Sequence, residues 1–262
     1  MKQLGHRLAA DDVKVFLEED GALLSLLDAH GLLVVSDFPQ DIEAFEHLAA
    51  AFGPAEVVSP PVFGLSGHPT VRVQSNLPGQ GVSGGGEYWH SDGPWSKTPS
   101  AATLLLCEIA PSGGGETLFT DMREVVDTAP PGLKAKLEPL VGNYPCRAIY
   151  QRELDQMGLK DPDKLAGLQD LSHPLVRRHP RNGRSALYLN EKWLENVIGL
   201  SEEESTELLD ALLDIATEPD RVYAHTWRAN DVLIWDNVAM MHKALPPAEG
   251  ASKKTYRITI KG

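Results

Sequence analysis

Across residues 40–52 the apolar side chains Phe45, Leu48, Ala49 and Phe52 recur at i, i+3, i+4 and i+7, the spacing of one helix face, and Gly53-Pro54 closes the run. The first 55 residues therefore read as helices around one short strand, a layer packed outside the main core. Ser201 with Glu204 forms a capping box ahead of Leu208, Leu209, Leu212 and Leu213, so a covering helix with an apolar stripe is expected there. Between these two regions the period changes. Residues 70–74, 100–108, 117–120, 186–189, 231–235 and 255–260 are short apolar or alternating runs broken by Pro and Gly, the pattern of antiparallel strands. The last run, from Lys253, puts Tyr256, Ile258 and Ile260 on one face and Lys253, Thr255, Arg257 and Thr259 on the other. No βαβ alternation supports a doubly wound parallel sheet, so the core is expected to be mainly β with flanking helices.

Two glycine-rich stretches interrupt the strands. Residues 76–86 hold five Gly, and Gly113-Gly114-Gly115 forms a second cluster; neither leads into a phosphate-binding helix start, so both read as turns. The first is long enough to serve as a lid beside residues 88–95. The expected organisation is one domain over 1–262, with a helical part over about 1–55 and a central insert and lid region over about 145–185.

Composition narrows the function classes. In 262 residues, 24 Lys and Arg face 37 Asp and Glu, a net charge of −13, so the basic footprint of a nucleic-acid binder is missing. Two cysteines are too few for a stapled secreted scaffold or a thiolate zinc site, which points to a reducing cytoplasm. No apolar run has the length of a membrane span, so neither export nor membrane insertion is expected. A homo-oligomer is compatible with the sequence, which does not fix the assembly state.

No G-x-S-x-G elbow is present, and covalent hydrolysis has no anchor. Metal ligation does. His90 and Asp92 lie two apart in an extended segment, so both side chains project from one face and can share an ion. His242, beyond the strand-like run that ends at Asp236-Asn237, is the third candidate. Two imidazoles and one carboxylate leave three positions open, the set used by non-haem Fe(II) enzymes that bind a co-substrate and O2 together. The basic face of the last run suits a dicarboxylate such as 2-oxoglutarate, although an exposed edge strand with solvated cations would look the same.

In order and spacing these pieces resemble the Fe(II)/2-oxoglutarate-dependent taurine dioxygenase family: His90-x-Asp92, His242, and Arg257 fifteen residues later. Gly114-Gly115-Glu116-Thr117-Leu118-Phe119 is similar to another family segment, as is the stretch from His173-Pro174 through His179-Pro180 and Gly183-Arg184 to Tyr188 and Asn190. The resemblance covers most of residues 30–260. It implies a double-stranded β-helix, or jelly roll, with His90, Asp92 and His242 on Fe(II) and Thr117 on the distal carboxylate of 2-oxoglutarate. It also implies O2 as co-substrate and hydroxylation, or a related C–H oxidation, of a small polar metabolite. Family members commonly carry two arginines four apart on the last strand, where this chain has Lys253 and Arg257. Either cation could take the co-substrate; the planar fork favours Arg257. Candidate substrate-pocket residues are Asn76, Tyr88, Trp95 and Arg177, while His173 and His179, each before a Pro, read as turn residues. Two other readings stand beside this one: a non-catalytic jelly-roll ligand-binding protein, and a Zn-dependent hydrolase or isomerase.

Overall fold

The computed structural model describes residues 4–262. Its frame is a seven-stranded sheet in the order His6–Ala9, Leu32–Ser36, Val232–Asp236, Ala102–Ile109, Lys254–Ile260, His68–Ser75 and Gly64–Leu65. Opposite it lies a three-stranded sheet in the order Tyr223–His225, Thr117–Asp121 and Met240–Ala244. Val232–Asp236 pairs with Leu32–Ser36 and Ala102–Ile109, both distant in sequence, and the chain crosses between sheets from Val232–Asp236 to Met240–Ala244. This is the expected jelly roll.

Period two decides what each strand buries. Leu33, Val35, Leu104, Leu106, Val232, Ile234, Ile258 and Ile260 join one cluster with Val13, Leu23, Leu27, Phe45 and Leu48 of the N-terminal helices. Their neighbours Leu32, Val34, Leu105, Cys107, Leu233 and Trp235 face inward and pack with Phe119, Tyr223 and Met240 of the small sheet. The central strands are therefore apolar on both faces, with helices covering one side. On Lys254–Ile260 the expected alternation holds, with Ile258 and Ile260 under the helices and Thr255, Arg257 and Thr259 lining an inner cavity.

The N-terminal part contains the helices Ala10–Glu18, Ala22–His30 and Ile42–Ala50, and two strands where one was expected. The additional strand, His6–Ala9, pairs in parallel with Leu32–Ser36, while the other strand pairs of the two sheets are antiparallel. Four residues with a single buried side chain display no alternation, and only the neighbouring strand orders them. The strand reading over 186–189 corresponds to Ser185–Leu187.

The expected covering helix is Glu202–Ala216. Ser201 Oγ accepts from the Glu204 amide at 3.2 Å, and Glu204 Oε2 accepts from the Ser201 amide at 2.9 Å. Ser201→Ala is expected to cost about 1 kcal/mol, read as a lower urea midpoint at unchanged m-value.

A third cluster fills the segment between the sheets and that helix. The helices Cys146–Met157 and Pro162–Gly167 lie between the strands Val141–Tyr144 and Leu171–Pro174, which pair with each other. Cys146, Ile149, Tyr150 and Leu154 recur at helical spacing and bury inward. His173 departs from the turn reading: it lies inside Leu171–Pro174, buried, because Pro174 ends that strand.

Candidate metal centre and cavity

His90 and His242 are brought together by the backbone. They form an isolated antiparallel bridge, with each amide donating to the other's carbonyl at 2.9 and 2.8 Å, and the rings sit 4.1 Å apart between centroids. The two-residue spacing then places Asp92 beside both, with Oδ1 3.7 Å from His90 Nε2 and Oδ2 3.9 Å from His242 Nε2. One ligand atom from each residue lies within 4.8 Å of the others. Gly93 turns the chain away directly afterwards: its φ is +73°, and a Cβ there would stand 2.4 Å from Ser100 Oγ.

The protonation states suit a cation. His90 Nδ1 donates to the Tyr88 carbonyl at 2.7 Å, which leaves the Nε2 lone pair facing Asp92. Burial, then the charge of His90, holds the His242 pKa well below the ordinary imidazole value, and burial lowers His90 as well. Burial pushes Asp92 upward, but Arg257, His242 and His90 outweigh it and keep the carboxyl below its usual range. At neutral pH the three groups are two neutral imidazoles and one carboxylate, the forms in which they ligate. His242 Nδ1 is buried with no protein partner.

A row of hydrogen bonds fixes the carboxylate. Thr103 Oγ1 donates to Asp92 Oδ2 at 2.7 Å, and Asn237 Nδ2 donates to Thr103 Oγ1 at 2.9 Å. Asn237 Oδ1 accepts from the Asp92 amide at 3.2 Å and from Trp235 Nε1 at 3.0 Å. On the open side Arg257 Nη2 lies 2.8 Å from Asp92 Oδ1. Thr103 escaped the sequence reading, where a lone polar residue inside an apolar run was its only signal.

A second group, Asp28, His179 and Asp236, also brings three ligand atoms within 4.8 Å. A cation is already there. Arg181 Nη2 lies 2.5 Å from Asp28 and 3.2 Å from Asp236, and His179 Nε2 is 2.7 Å from Asp236. Asp236 Oδ1 also accepts from the Val238 and Ala239 amides, so this network shapes the turn that leads to His242. His179 thus begins a turn, as expected, and braces the metal-bearing strand from behind.

Beside the triad lies a cavity of about 290 Å³ whose wall includes Asn76, Tyr88, Trp95, Thr117, Lys253 and Arg257. Lys253 Nζ donates to the Gly115 carbonyl at 2.7 Å and lies 5.2 Å from the Trp227 ring centroid. Trp227 Nε1 in turn donates to Thr117 Oγ1 at 3.1 Å, so Lys253 and Thr117 belong to one corner. Burial lowers the Lys253 pKa to about 8. Arg257 is instead turned to Asp92, while Lys253 and Thr117 share Trp227 as a neighbour. Asn76 has its amide spent on the backbone, accepting from the Lys253 amide and donating to the Ala251 carbonyl. Trp95 packs on Trp193, whose Nε1 donates to Tyr88 Oη. Arg177 is not among the described residues on the cavity wall; it lies 4.6 Å over the Tyr188 ring. The glycine-rich stretch borders the cavity with residues 82–86, and the Gly86 carbonyl accepts from the Ala244 amide. Arg72, Tyr150 and Lys164 also line the cavity and were missed; Arg72 sits between Thr70 and Gln74 in an alternation that reads as an ordinary solvent face.

A jelly roll with two imidazoles and a carboxylate on one side of an open cavity is the framework of the 2-His-1-carboxylate oxygenases. Comparison with known proteins takes this further. The family described as "Taurine catabolism dioxygenase TauD, TfdA family" matches residues 2–259. The chain is 31% identical to pentalenolactone F synthase of Streptomyces arenae over 94% of its own length and 87% of that protein. It is 30% identical to the (S)-phenoxypropionate/alpha-ketoglutarate-dioxygenase of Sphingobium herbicidovorans over 92% and 84%. The crystal structure of AAD-2 with Mn(II) and N-oxalylglycine superposes with a TM-score of 0.74 at 27% identity, covering 94% of this chain and 88% of that one. The chain belongs to the TauD/TfdA family and is an alpha-ketoglutarate-dependent dioxygenase, an oxidoreductase that acts on a small molecule.

Proposed function

We propose that Fe(II), held by His90, Asp92 and His242, and O2 serve the coupled oxidative decarboxylation of 2-oxoglutarate and hydroxylation, or related C–H oxidation, of a small polar metabolite. The convergence of these three ligand atoms carries the reading. Their chemistry fits: two neutral imidazoles and one hard carboxylate, all buried, on one side of a cavity. When bound, the iron supplies the oxygen chemistry, and the protein supplies position and exclusion of water.

The corner formed by Thr117 and Lys253 takes the distal carboxylate of 2-oxoglutarate, by a hydroxyl hydrogen bond and one ammonium. Arg257 and Thr103 orient Asp92, each on a different oxygen, so that the carboxylate presents a fixed edge to the metal. Tyr88 and Trp95 wall the substrate space, Asn76 holds the backbone that carries Lys253, and Arg177 packs over Tyr188 outside that wall. The insert over about 145–185 roofs the cavity through Tyr150, Leu154 and Lys164. Two buried, unpaired cysteines support a cytoplasmic setting, and the acidic charge supports a small-molecule partner over nucleic acid. Among the described residues no helix is long and apolar enough to cross a membrane.

Succinate release from 2-oxoglutarate is expected to require added Fe(II) and O2 and to be lost in His242→Ala; iron binding and activity untouched by that change would overturn the ligand set. Thr103→Val keeps the shape but frees Asp92 Oδ2, and a 10- to 100-fold loss of Mn(II) affinity by calorimetry is expected, roughly the effect of removing a partner behind a ligand.

A further inference from the structure

Arg72 and Lys164 form no ion pair among the described residues, although both reach the cavity. Arg72 lies directly opposite Arg257 across the ladder between His68–Ser75 and Lys254–Ile260, an arrangement in which like charges repel. Arg257 is met by Asp92. Among the described residues Arg72 has the Phe63 ring 4.8 Å from its guanidinium and no hydrogen bond at its buried Nε. Lys164 comes from the other side, on the helix Pro162–Gly167 of the roof, with Nζ held 4.7 Å from the Trp95 ring centroid and 4.8 Å from that of Tyr150.

The acids near these cations are committed. Asp161 accepts from Ser59 Oγ at 2.6 Å and from Tyr150 Oη at 2.8 Å, and Glu56 accepts from Ser100 Oγ at 2.8 Å. Burial, then the charge of Arg257, lowers the Arg72 pKa to about 10, and burial lowers that of Lys164. Both shifts record positive charge held out of water, offset only in part by Asp92 at Arg72 and by Asp161 and Glu56 at Lys164. Two such cations, seated on aromatic faces at one end of a cavity, are placed to bind a carboxylate.

We infer that Arg72 and Lys164 form an anion subsite, distinct from Lys253 and Arg257, that grips the acidic group of a carboxylic acid substrate while Trp95 and Tyr150 flank its apolar body. Arg72 offers a fork from the floor and Lys164 a point charge from the roof, so the bound acid ties the insert to the sheet. The inference rests on the proposed function, because it takes this cavity as the place where substrate meets the metal.

Metal-loaded protein holding 2-oxoglutarate is to be titrated without oxygen, by calorimetry, with phenoxyacetate and with its neutral analogue phenoxyacetamide. The acid is expected to bind at least about tenfold tighter than the amide, the effect of one charge-assisted contact. Arg72→Met and Lys164→Met are each expected to erase most of that preference, and Arg72→Lys to keep part of it. Equal affinity for acid and amide, no binding of the acid at millimolar concentration, or a preference that survives both Met variants overturns the subsite. Binding of 2-oxoglutarate itself, measured in the same proteins, is expected to be unchanged; its absence in the unaltered protein would instead sink the proposed function.

Discussion

Replacing Asp92 with Asn is expected to cost the protein both its metal and part of its stability, although the side chain keeps its shape. Asp92 is 3% exposed, and each of its oxygens is spoken for by a donor: Oδ2 by Thr103 Oγ1 at 2.7 Å, Oδ1 by Arg257 Nη2 at 2.8 Å. The hydroxyl cannot turn away without loss, because Thr103 Oγ1 already accepts from Asn237 Nδ2. An amide has one oxygen and one NH2, so in either orientation a donor faces a donor. The charge disappears as well, and with it the attraction that now holds Arg257 beside the two imidazoles. Affinity for Mn(II) is expected to fall by more than about 100-fold, beyond the range for a partner that only braces a ligand. The metal-free protein is expected to lose about 1–3 kcal/mol in urea denaturation, for one buried donor left unmet. Near-native metal affinity in Asp92→Asn would remove Asp92 from the ligand set.

What the chain discloses before folding follows from how local each signal is. The helix faces and the Ser201–Glu204 box depend on residues three or four apart, and both were legible. The sheet was legible because its central strands alternate between two apolar partners, and the convergence of the three ligand candidates because His90 and Asp92 lie two apart and His242 follows a recognisable run. Arg72 was not, because its meaning comes from Arg257 across the ladder and from Lys164 on the roof, both distant in sequence. The choice between Lys253 and Arg257 also lay beyond local pattern. The alternation in sequence puts both on one face of one run, but Lys253 precedes the strand Lys254–Ile260 and lies beside Trp227, which bonds Thr117, while Arg257 on that strand meets Asp92. Arg177 depends on distant partners in the same way: it packs over the Tyr188 ring and is not among the described residues on the cavity wall.

Affinity for 2-oxoglutarate is expected to fall about tenfold between pH 7 and pH 9, with the fall traceable to Lys253. Burial brings this lysine down to about 8 from its ordinary value, against the weaker pull of Cys107 and Glu116. Below pH 8 it is an ammonium, ready to meet a carboxylate; above, a neutral amine donating to the Gly115 carbonyl. A bound carboxylate favours the charged form and raises its pKa, so binding takes up a proton once the pH exceeds 8. Affinity is then flat below that point and drops about tenfold per unit above it until the raised value is reached. Cys107 is pushed up to about 12, and the two imidazoles, held below their ordinary range, are neutral throughout. Lys253→Arg is expected to abolish the dependence, since a guanidinium keeps its charge at pH 9. Lys253→Met is expected to bind weakly and without pH dependence, near the level of the unaltered protein at high pH. Calorimetric titration of metal-loaded protein at pH 7, 8 and 9 decides the matter: a flat profile in the unaltered protein would take the distal carboxylate away from Lys253 and return it to Arg257.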